Sequence, residues 1–199
     1  MDVTTCSSCG QQESKHIHNS NFTASRGITL IELLTVLAIL AITLGIGIPS
    51  VTAMIQTNRM ASAINSLSGS FAYARSEAIT RGHEVIICKS ADGEFCTQEG
   101  NWEQGWIIYH DQNGNETRDE DETLYRVQDA LPPGIEVRFS AFRSKHYVHY
   151  WATGFTKMNG TFTFCQQNSP AEPKALILNK VGRIRKSRTH WDGSPLECS

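Results

Sequence analysis

The sequence predicts an α+β protein in which one long N-terminal helix packs on an antiparallel β-sheet domain. An apolar run of 21 residues, Ile28–Ile48, contains a single charged residue. Apolar residues then recur at helical spacing as far as Arg81. After Gly82 come seven short runs rich in β-branched and aromatic residues, with turn residues between them. With 199 residues the chain can bury a core of ordinary size.

The apolar run is expected to cross a membrane, because a helix of this length spans roughly 30 Å, the thickness of a bilayer core. Cations in residues 1–27 place that stretch in the cytoplasm by the positive-inside preference. A cleavable secretory signal is the alternative, and Val51-Thr52-Ala53 offers a cleavage site. The run exceeds a usual signal core, and a carboxylate inside it, Glu32, costs on the order of 2.5–3.5 kcal/mol. Residues 28–52 are therefore predicted to be a transmembrane helix whose carboxylate needs a partner, and residues 53–199 a globular domain outside the cytoplasm.

Gly27 followed by Ile-Thr-Leu-Ile-Glu resembles the class III signal of type IV pilins and pseudopilins. The resemblance implies that residues 1–27 are a leader that prepilin peptidase removes, and that Ile28 becomes the N-methylated terminus. In a filament, Glu32 would then neutralise the Ile28 amine of a neighbouring pilin, in low dielectric where such a pair is strong. It also implies a single pass through the inner membrane, a periplasmic C-terminal domain and later incorporation into a pilus.

The second half of the helix carries one apolar stripe, which is expected to pack on a sheet rather than on lipid. Gly82 is a suitable stop, so one helix is predicted from about Ile28 to Arg81, with Pro49 where pilins kink their helix. The stretch from Asn58 to Ala78 resembles the GspH/FimT branch of the pilin superfamily. The stripe consists of Val51, Met54, Ile55, Ile64, Leu67, Phe71, Ala74 and Ala78.

Short strands and turns are predicted throughout the rest of the chain. Turn signals include Pro132-Pro133-Gly134 and Asn159-Gly160. Parts of this region, among them Gly105–Ile108, again resemble the GspH/FimT domain, so the resemblance covers nearly the whole mature chain. The predicted strands are Val85–Cys88, Trp106–Tyr109, Thr123–Val127, Ile135–Phe139, Tyr147–Trp151, Thr161–Cys165 and Ala175–Leu178.

Four of the six cysteines remain once the leader is removed, an even number in an oxidising periplasm. Three pairings are possible. We favour Cys88–Cys96, which closes the loop after the first strand, and Cys165–Cys198, which pins the C-terminal tail. A zinc site is the weaker alternative, because the mature chain has no close Cys-x-x-Cys pair.

The segment from Asp111 to Glu122 partly imitates a calcium-binding loop. Its glycine falls at position four of the loop rather than six, and its flanks have the pattern of strands, so a polar hairpin tip is favoured over calcium. The oxygen-bearing side chains at the ligand positions are Asp111, Asn113, Asn115, Asp119 and Glu122.

The histidines form no recognisable site. His146 and His149 are expected on opposite faces of a strand, and His83, His110 and His190 are isolated in the sequence. No catalytic constellation or phosphate loop is present. The sequence therefore predicts a protein that is not an enzyme and that needs no cofactor and no metal.

Charge is segregated along the chain, although the formal net charge is only −2. Ten acidic residues and one basic residue lie between Asp92 and Glu122, whereas ten basic residues and one acidic residue lie between Arg138 and Trp191. Such a dipolar surface can steer an anion to one side. A solvated basic edge or a contact between filament subunits is the alternative explanation.

Gly182-Arg183-x-Arg185 resembles the Gly-Arg-x-Arg motif of FimT-type minor pilins, which bind DNA during natural transformation. On an extended segment, the two arginines would share a face and could clamp adjacent phosphates, with Ile184 pointing inward. The alternative is a structural pilin or pseudopilin similar to FimU or GspH. Trp191 is expected to pack near Cys198 rather than to stack on a base. The predicted DNA-binding residues are Lys174, Lys180, Gly182, Arg183, Arg185, Lys186 and Arg188.

Overall fold

A computed structural model describes residues 27–167 and 172–198, with residues 46–50 described by secondary structure alone. The predicted leader up to residue 26 and the Pro49 side chain lie outside this description. The chain divides into two compact units, Met1–Gly47 and Ile48–Ser199. Helix α1 comprises Leu30–Arg81. Among the described residues, no helix combines the length and the apolar character that a membrane span needs.

The start of α1 lies in the first unit and is capped by Thr29. The Thr29 hydroxyl accepts a hydrogen bond of 3.3 Å from the backbone N–H of Glu32. Thr29 is therefore the N-cap, which explains why the helix begins at Leu30 instead of the expected Ile28. Glu32 lies in the first turn, where a carboxylate interacts favourably with the helix dipole.

In the second unit, the buried face of α1 begins at Met60. The expectation that the stripe starts at Val51 is wrong, because Val51, Met54 and Ile55 are exposed and the core begins about two and a half turns later, at Met60. The buried helix residues are Met60, Ala63, Ile64, Leu67, Phe71, Ala74 and Ala78.

The described residues contain eight strands in two antiparallel sheets. Sheet A has the order β3-β2-β1-β5 and sheet B the order β4-β6-β7-β8. The seven predicted strands are all present, and β8 is an addition that forms along the edge of sheet B. The strands are β1 Val85–Lys89, β2 Trp106–His110, β3 Leu124–Gln128, β4 Ile135–Ala141, β5 Tyr147–Tyr150, β6 Gly160–Gln166, β7 Lys174–Leu178 and β8 Ile184–Ser187.

The helix and both sheets share one aromatic core. Phe71 of α1 lies 5.0 Å, centroid to centroid, from Phe162 of β6, which stacks on Phe139 of β4 at 4.0 Å. Trp102 packs edge-on against Phe162 and donates its indole N–H to the Lys145 carbonyl at 3.0 Å. This core holds sheet B against the helix and so determines where the charged edge of the sheet lies.

Two disulfides are present among the described residues, Cys88–Cys96 and Cys165–Cys198. The first closes the loop that follows β1. The second joins β6 to the C-terminal tail across 33 residues. These are the two pairs that the sequence favours among the three possible pairings.

Candidate nucleic-acid interface

The β7–β8 hairpin distributes the predicted DNA-binding residues over two faces of sheet B. Its register places Ile177 opposite Arg185 and Leu176 opposite Lys186. Because residues directly opposite each other in a sheet share a face, Lys186 lies on the side of the core residue Leu176. Arg185 lies on the other side, together with Arg183, which is two residues away.

Arg183 and Arg185 are both exposed, while Ile184 between them is half-buried against the core. No carboxylate among the described residues pairs with either guanidinium. Their planar donor groups are therefore available for an anion on the outer face of sheet B.

Gly182 shapes the turn that precedes Arg183. Its N–H donates to the Asn179 carbonyl at 2.9 Å, and the Arg183 N–H donates to the Asn179 side chain at 3.0 Å. Gly182 has a φ of +77° and is buried, and an added Cβ would collide with the Gly154 carbonyl. Gly182 therefore packs closely against the Gly154 backbone, and it positions the arginines without being exposed itself.

Lys174, Lys186 and Arg188 line a separate cleft of about 290 Å³ beside helix α1. The Lys186 ammonium donates to the Asn65 side chain of the helix at 2.8 Å. Lys180 is exposed in the β7–β8 turn. The seven predicted residues therefore do not form one patch: two arginines lie on the outer face, three cations on the helix side, Lys180 at the turn, and Gly182 is buried.

The acidic segment lies in the connections between strands of sheet A, whereas the β7–β8 hairpin belongs to sheet B. Within it, Asp111 accepts hydrogen bonds from the N–H groups of Gly114 and Glu116, and the Asp119 carboxylate accepts from the Asn113 and Asn115 amides. The Glu122 carboxylate likewise accepts from backbone N–H groups of this loop. The calcium candidates are thus brought together and bonded to their own loop. Among the described residues, no group of three or more His, Cys, Asp or Glu is arranged to hold a metal ion.

Two histidines that are isolated in the sequence are stacked in the structure, which corrects the expectation for His83 and His110. Their ring centroids are 3.6 Å apart, because the register sets Val85 opposite His110 and brings His83 beside it. The Tyr125 hydroxyl lies 3.0 Å from His83 Nε2. Burial, and then the charge of His83, lower the pKa of His110.

Trp191 is 64% exposed, so the expectation that it packs near Cys198 is wrong. Leu196 takes the buried position in the tail instead. Trp191 lies in a turn that the Gly193 N–H closes on the His190 carbonyl at 3.2 Å. An aromatic face is therefore open to solvent three residues after Arg188.

The family model described as "Type II transport protein GspH" matches residues 63–182. The pilin-like protein PilA1 of Thermus thermophilus is 35% identical over 165 residues, which are 81% of this chain and 90% of that protein. The crystal structure of the type IV minor pilin FimU of Pseudomonas aeruginosa PAO1 matches with a TM-score of 0.53 at 20% identity, over 67% of this chain and 92% of FimU. A weaker match, with a TM-score of 0.47, is to the minor pseudopilin EpsH of Vibrio cholerae, at 12% identity over 65% of this chain and 96% of EpsH.

The FimU likeness shows that the long helix with antiparallel sheets is a pilin fold. The names of these relatives denote pilins and pseudopilins, and none denotes an enzyme. A pilin associates with other pilins in a filament, which is either a pilus or the pseudopilus of type II secretion. The match over most of the globular domain, the 35% identity to a pilin-like protein and the shared fold lead to one conclusion: this chain belongs to the GspH family and is a type IV minor pilin or pseudopilin.

Proposed function

We propose that this chain is a minor pilin of a type IV pilus that binds DNA without sequence preference and supports DNA uptake in natural transformation. Arg183, directly before the edge strand β8, and Arg185 within it are both exposed, and no carboxylate among the described residues neutralises them. A pair of unpaired guanidiniums on a flat edge fits a polyanion.

The spacing of the two arginines also favours a nucleic-acid backbone. Residues two apart on a strand are separated by roughly 6.8 Å, which is about the axial rise of two nucleotides along one DNA strand. Each guanidinium can donate two parallel hydrogen bonds to one phosphate. Contacts of this kind read no bases, so binding should be weak, tolerant of sequence and strongly dependent on salt.

The test is a salt titration of duplex DNA binding by the full chain in a non-ionic detergent. The wild type is expected to bind unrelated duplexes alike, with a dissociation constant of about 1–100 μM at physiological salt. The double change Arg183→Ala and Arg185→Ala removes two phosphate contacts. The slope of log affinity against log salt concentration should therefore become less negative by about 1.8.

Arg126→Ala provides the matched control, since Arg126 is an exposed arginine on β3 of sheet A. It should leave the salt slope unchanged. Equal binding by the double variant and the wild type would remove these arginines from the interface.

A structural role without DNA binding is the second candidate, and family membership alone favours it. In that case deletion of the gene abolishes pili or protein secretion, and the full chain retains no DNA even at low salt. If the wild type binds labelled duplex DNA at low salt, a purely structural role is excluded.

We further propose that prepilin peptidase cleaves after Gly27, that Ile28 is N-methylated, and that the chain crosses the inner membrane once before it enters a pilus. The Glu32 carboxylate would pair with the Ile28 amine of a neighbour. Mass spectrometry of filament-derived protein should find a terminal peptide that begins at methylated Ile28. Glu32→Gln should be cleaved normally yet enter filaments poorly, and an intact chain beginning at Met1 in filaments would contradict this processing.

A further inference from the structure

We propose that a cleft beside the β7–β8 turn is a second nucleic-acid subsite, in which the Phe142 ring stacks on an unpaired base. The chain would then prefer single-stranded over duplex DNA. This inference rests on the proposed function, because the cleft adjoins the hairpin that carries Arg183 and Arg185. The cleft would select single-stranded DNA, which the two arginines alone do not distinguish from a duplex.

The strand register brings the elements of the cleft to one end of sheet B. Ala141 of β4 lies opposite Gly160 of β6, which lies opposite Leu178 of β7, which in turn lies opposite Ile184 of β8. The loop after β4, the loop before β6 and the β7–β8 turn therefore lie together at this end of the strands of sheet B. Residues that are far apart in the sequence form one surface there.

This surface encloses a cleft of about 300 Å³. Three of its six lining side chains are cations, and none is a carboxylate. Phe142 projects from the loop after β4 with its side chain fully exposed, at 100%. The lining residues are Phe142, Arg143, Lys157, Met158, Asn159 and Lys180.

A single exposed apolar side chain is ordinary on a protein surface and signals nothing alone. Here the ring stands among three cations, and that combination suits a ligand with negative charge and flat apolar faces. Single-stranded nucleic acid has both, since its bases are unstacked and each base stacks on an aromatic ring whatever its identity. Paired bases in a duplex keep their faces inside the helix, so only unpaired bases can use Phe142.

Lys180 links the cleft to the hairpin along the chain, because it lies in the β7–β8 turn, three residues before Arg183. Lys180 lines the cleft, and its carbonyl accepts a hydrogen bond of 3.1 Å from the Thr156 N–H. Lys157, one residue further on, is held with its ammonium 4.9 Å from the centre of the Trp151 ring. One strand of nucleic acid could thus place phosphates on Arg183 and Lys180 and a base on Phe142.

The experiment compares a short oligothymidylate with a duplex of equal length by fluorescence anisotropy, using the full chain in non-ionic detergent. The wild type should bind the single strand more tightly. Phe142→Ala should weaken single-strand binding roughly 5- to 150-fold, the contribution of one stacked base, and leave duplex binding unchanged. Phe142→Trp should preserve the affinity, and its fluorescence should be quenched by the oligonucleotide.

Phe95→Ala is the matched control, because Phe95 is an exposed phenylalanine in the acidic segment. It should not change binding of either probe. Unchanged thermal unfolding of Phe142→Ala confirms that a loss of binding is local.

Three results would overturn the subsite. If the arginine variants weaken binding of both probes but Phe142→Ala does not, the cleft is not used and the proposed function stands. If Phe142→Ala changes incorporation into pili and not DNA binding, the cleft is a contact between pilins. If the wild type binds neither probe, the proposed function fails and the subsite fails with it.

Discussion

Gly182 determines where Arg183 lies. Its positive φ is open to glycine at little cost, and its carbonyl accepts a hydrogen bond of 3.3 Å from the buried Tyr150 hydroxyl. The motif glycine thus acts by fitting the turn against the rest of the domain. Arg183 therefore keeps its position only while Gly182 packs in this turn.

Gly182→Ala is expected to destabilise the protein by about 1–3 kcal/mol, from backbone strain and from collision with Gly154, and to weaken DNA binding. Gly114→Ala is the matched control, because Gly114 has a φ of +73° with open space around it. Chemical unfolding should show a smaller loss for Gly114→Ala. If both variants lost the same free energy of unfolding, the close packing at Gly182 would not contribute to stability.

The histidine environment makes stability depend on pH. Burial first, and then neighbouring cationic groups, lower the pKa of both His110 and His146. Between these lowered values and the ordinary histidine pKa of about 6.5, the unfolded chain binds more protons than the folded chain. Stability should therefore fall as pH decreases through about 6.5, and level off once the folded-state pKa values are passed.

Thermal unfolding at pH values from about 5 to 8 tests this dependence, in a range where carboxylates with ordinary pKa values stay ionised. His110→Asn should make the decline shallower. A melting temperature that rises as the pH decreases would contradict this prediction.

At the scale of elements, β8 separates its cations by face. Arg185 lies on the outer face, whereas Lys186 lies on the helix side and is bonded to Asn65. The alternation of a strand therefore gives neighbouring residues different surroundings. The run of basic residues in the sequence does not function as a uniform patch.

Single substitutions should reveal this separation. Arg185→Ala is expected to reduce the salt slope of duplex binding by about one, as the loss of one phosphate contact does. Lys186→Ala should reduce it less, because its ammonium is already engaged by the helix. Equal effects in the same salt titration would show that both cations meet the phosphates.

The disulfides connect elements over very different lengths of chain. Cys165 lies on the face of β6 that also carries Thr161 and Thr163, both buried. The bond to Cys198 therefore holds the end of the tail near the outer face of sheet B. Leu196, in the same tail, is buried.

Loss of Cys165–Cys198 should cost more stability than loss of Cys88–Cys96. The pairs are 33 and 8 residues apart, which corresponds to about 4 and about 2.5 kcal/mol in the chain-entropy model. Chemical unfolding of the two double Cys→Ser variants measures the difference. The opposite order would show that native-state contacts, not loop length, dominate.

At the scale of the whole molecule, the two charged blocks belong to different sheets. The acidic block occupies the connections of sheet A, and the densest basic segment forms the edge of sheet B. A net charge of −2 therefore conceals a charge dipole, and DNA should approach with one orientation.

Neutralising the exposed acidic residues Glu120 and Asp121 should raise the association rate for DNA at low salt, since it removes charges that repel phosphate. The dissociation rate should not change, and the gain should vanish at high salt. Stopped-flow measurements of Glu120→Gln with Asp121→Asn test this. A change confined to dissociation would place the acidic segment in direct contact with DNA.

Sequence patterns alone predict the long helix, seven of the eight strands among the described residues, and the basic segment near the C-terminus. These features follow from local patterns: apolar spacing, turn residues and the density of charge within a few residues. Local patterns could also indicate that Arg183 and Arg185 share a face, because alternation along a strand is a property of the strand alone.

Contacts between residues that are distant in the sequence became known from the three-dimensional arrangement of the strands. The strand registers stack His83 on His110, turn Lys186 toward the helix, and bring Phe142 beside Lys180. The extent of the core decided that the buried helix face begins at Met60. Such contacts depend on strand register and packing, which no repeat within a short stretch of sequence encodes.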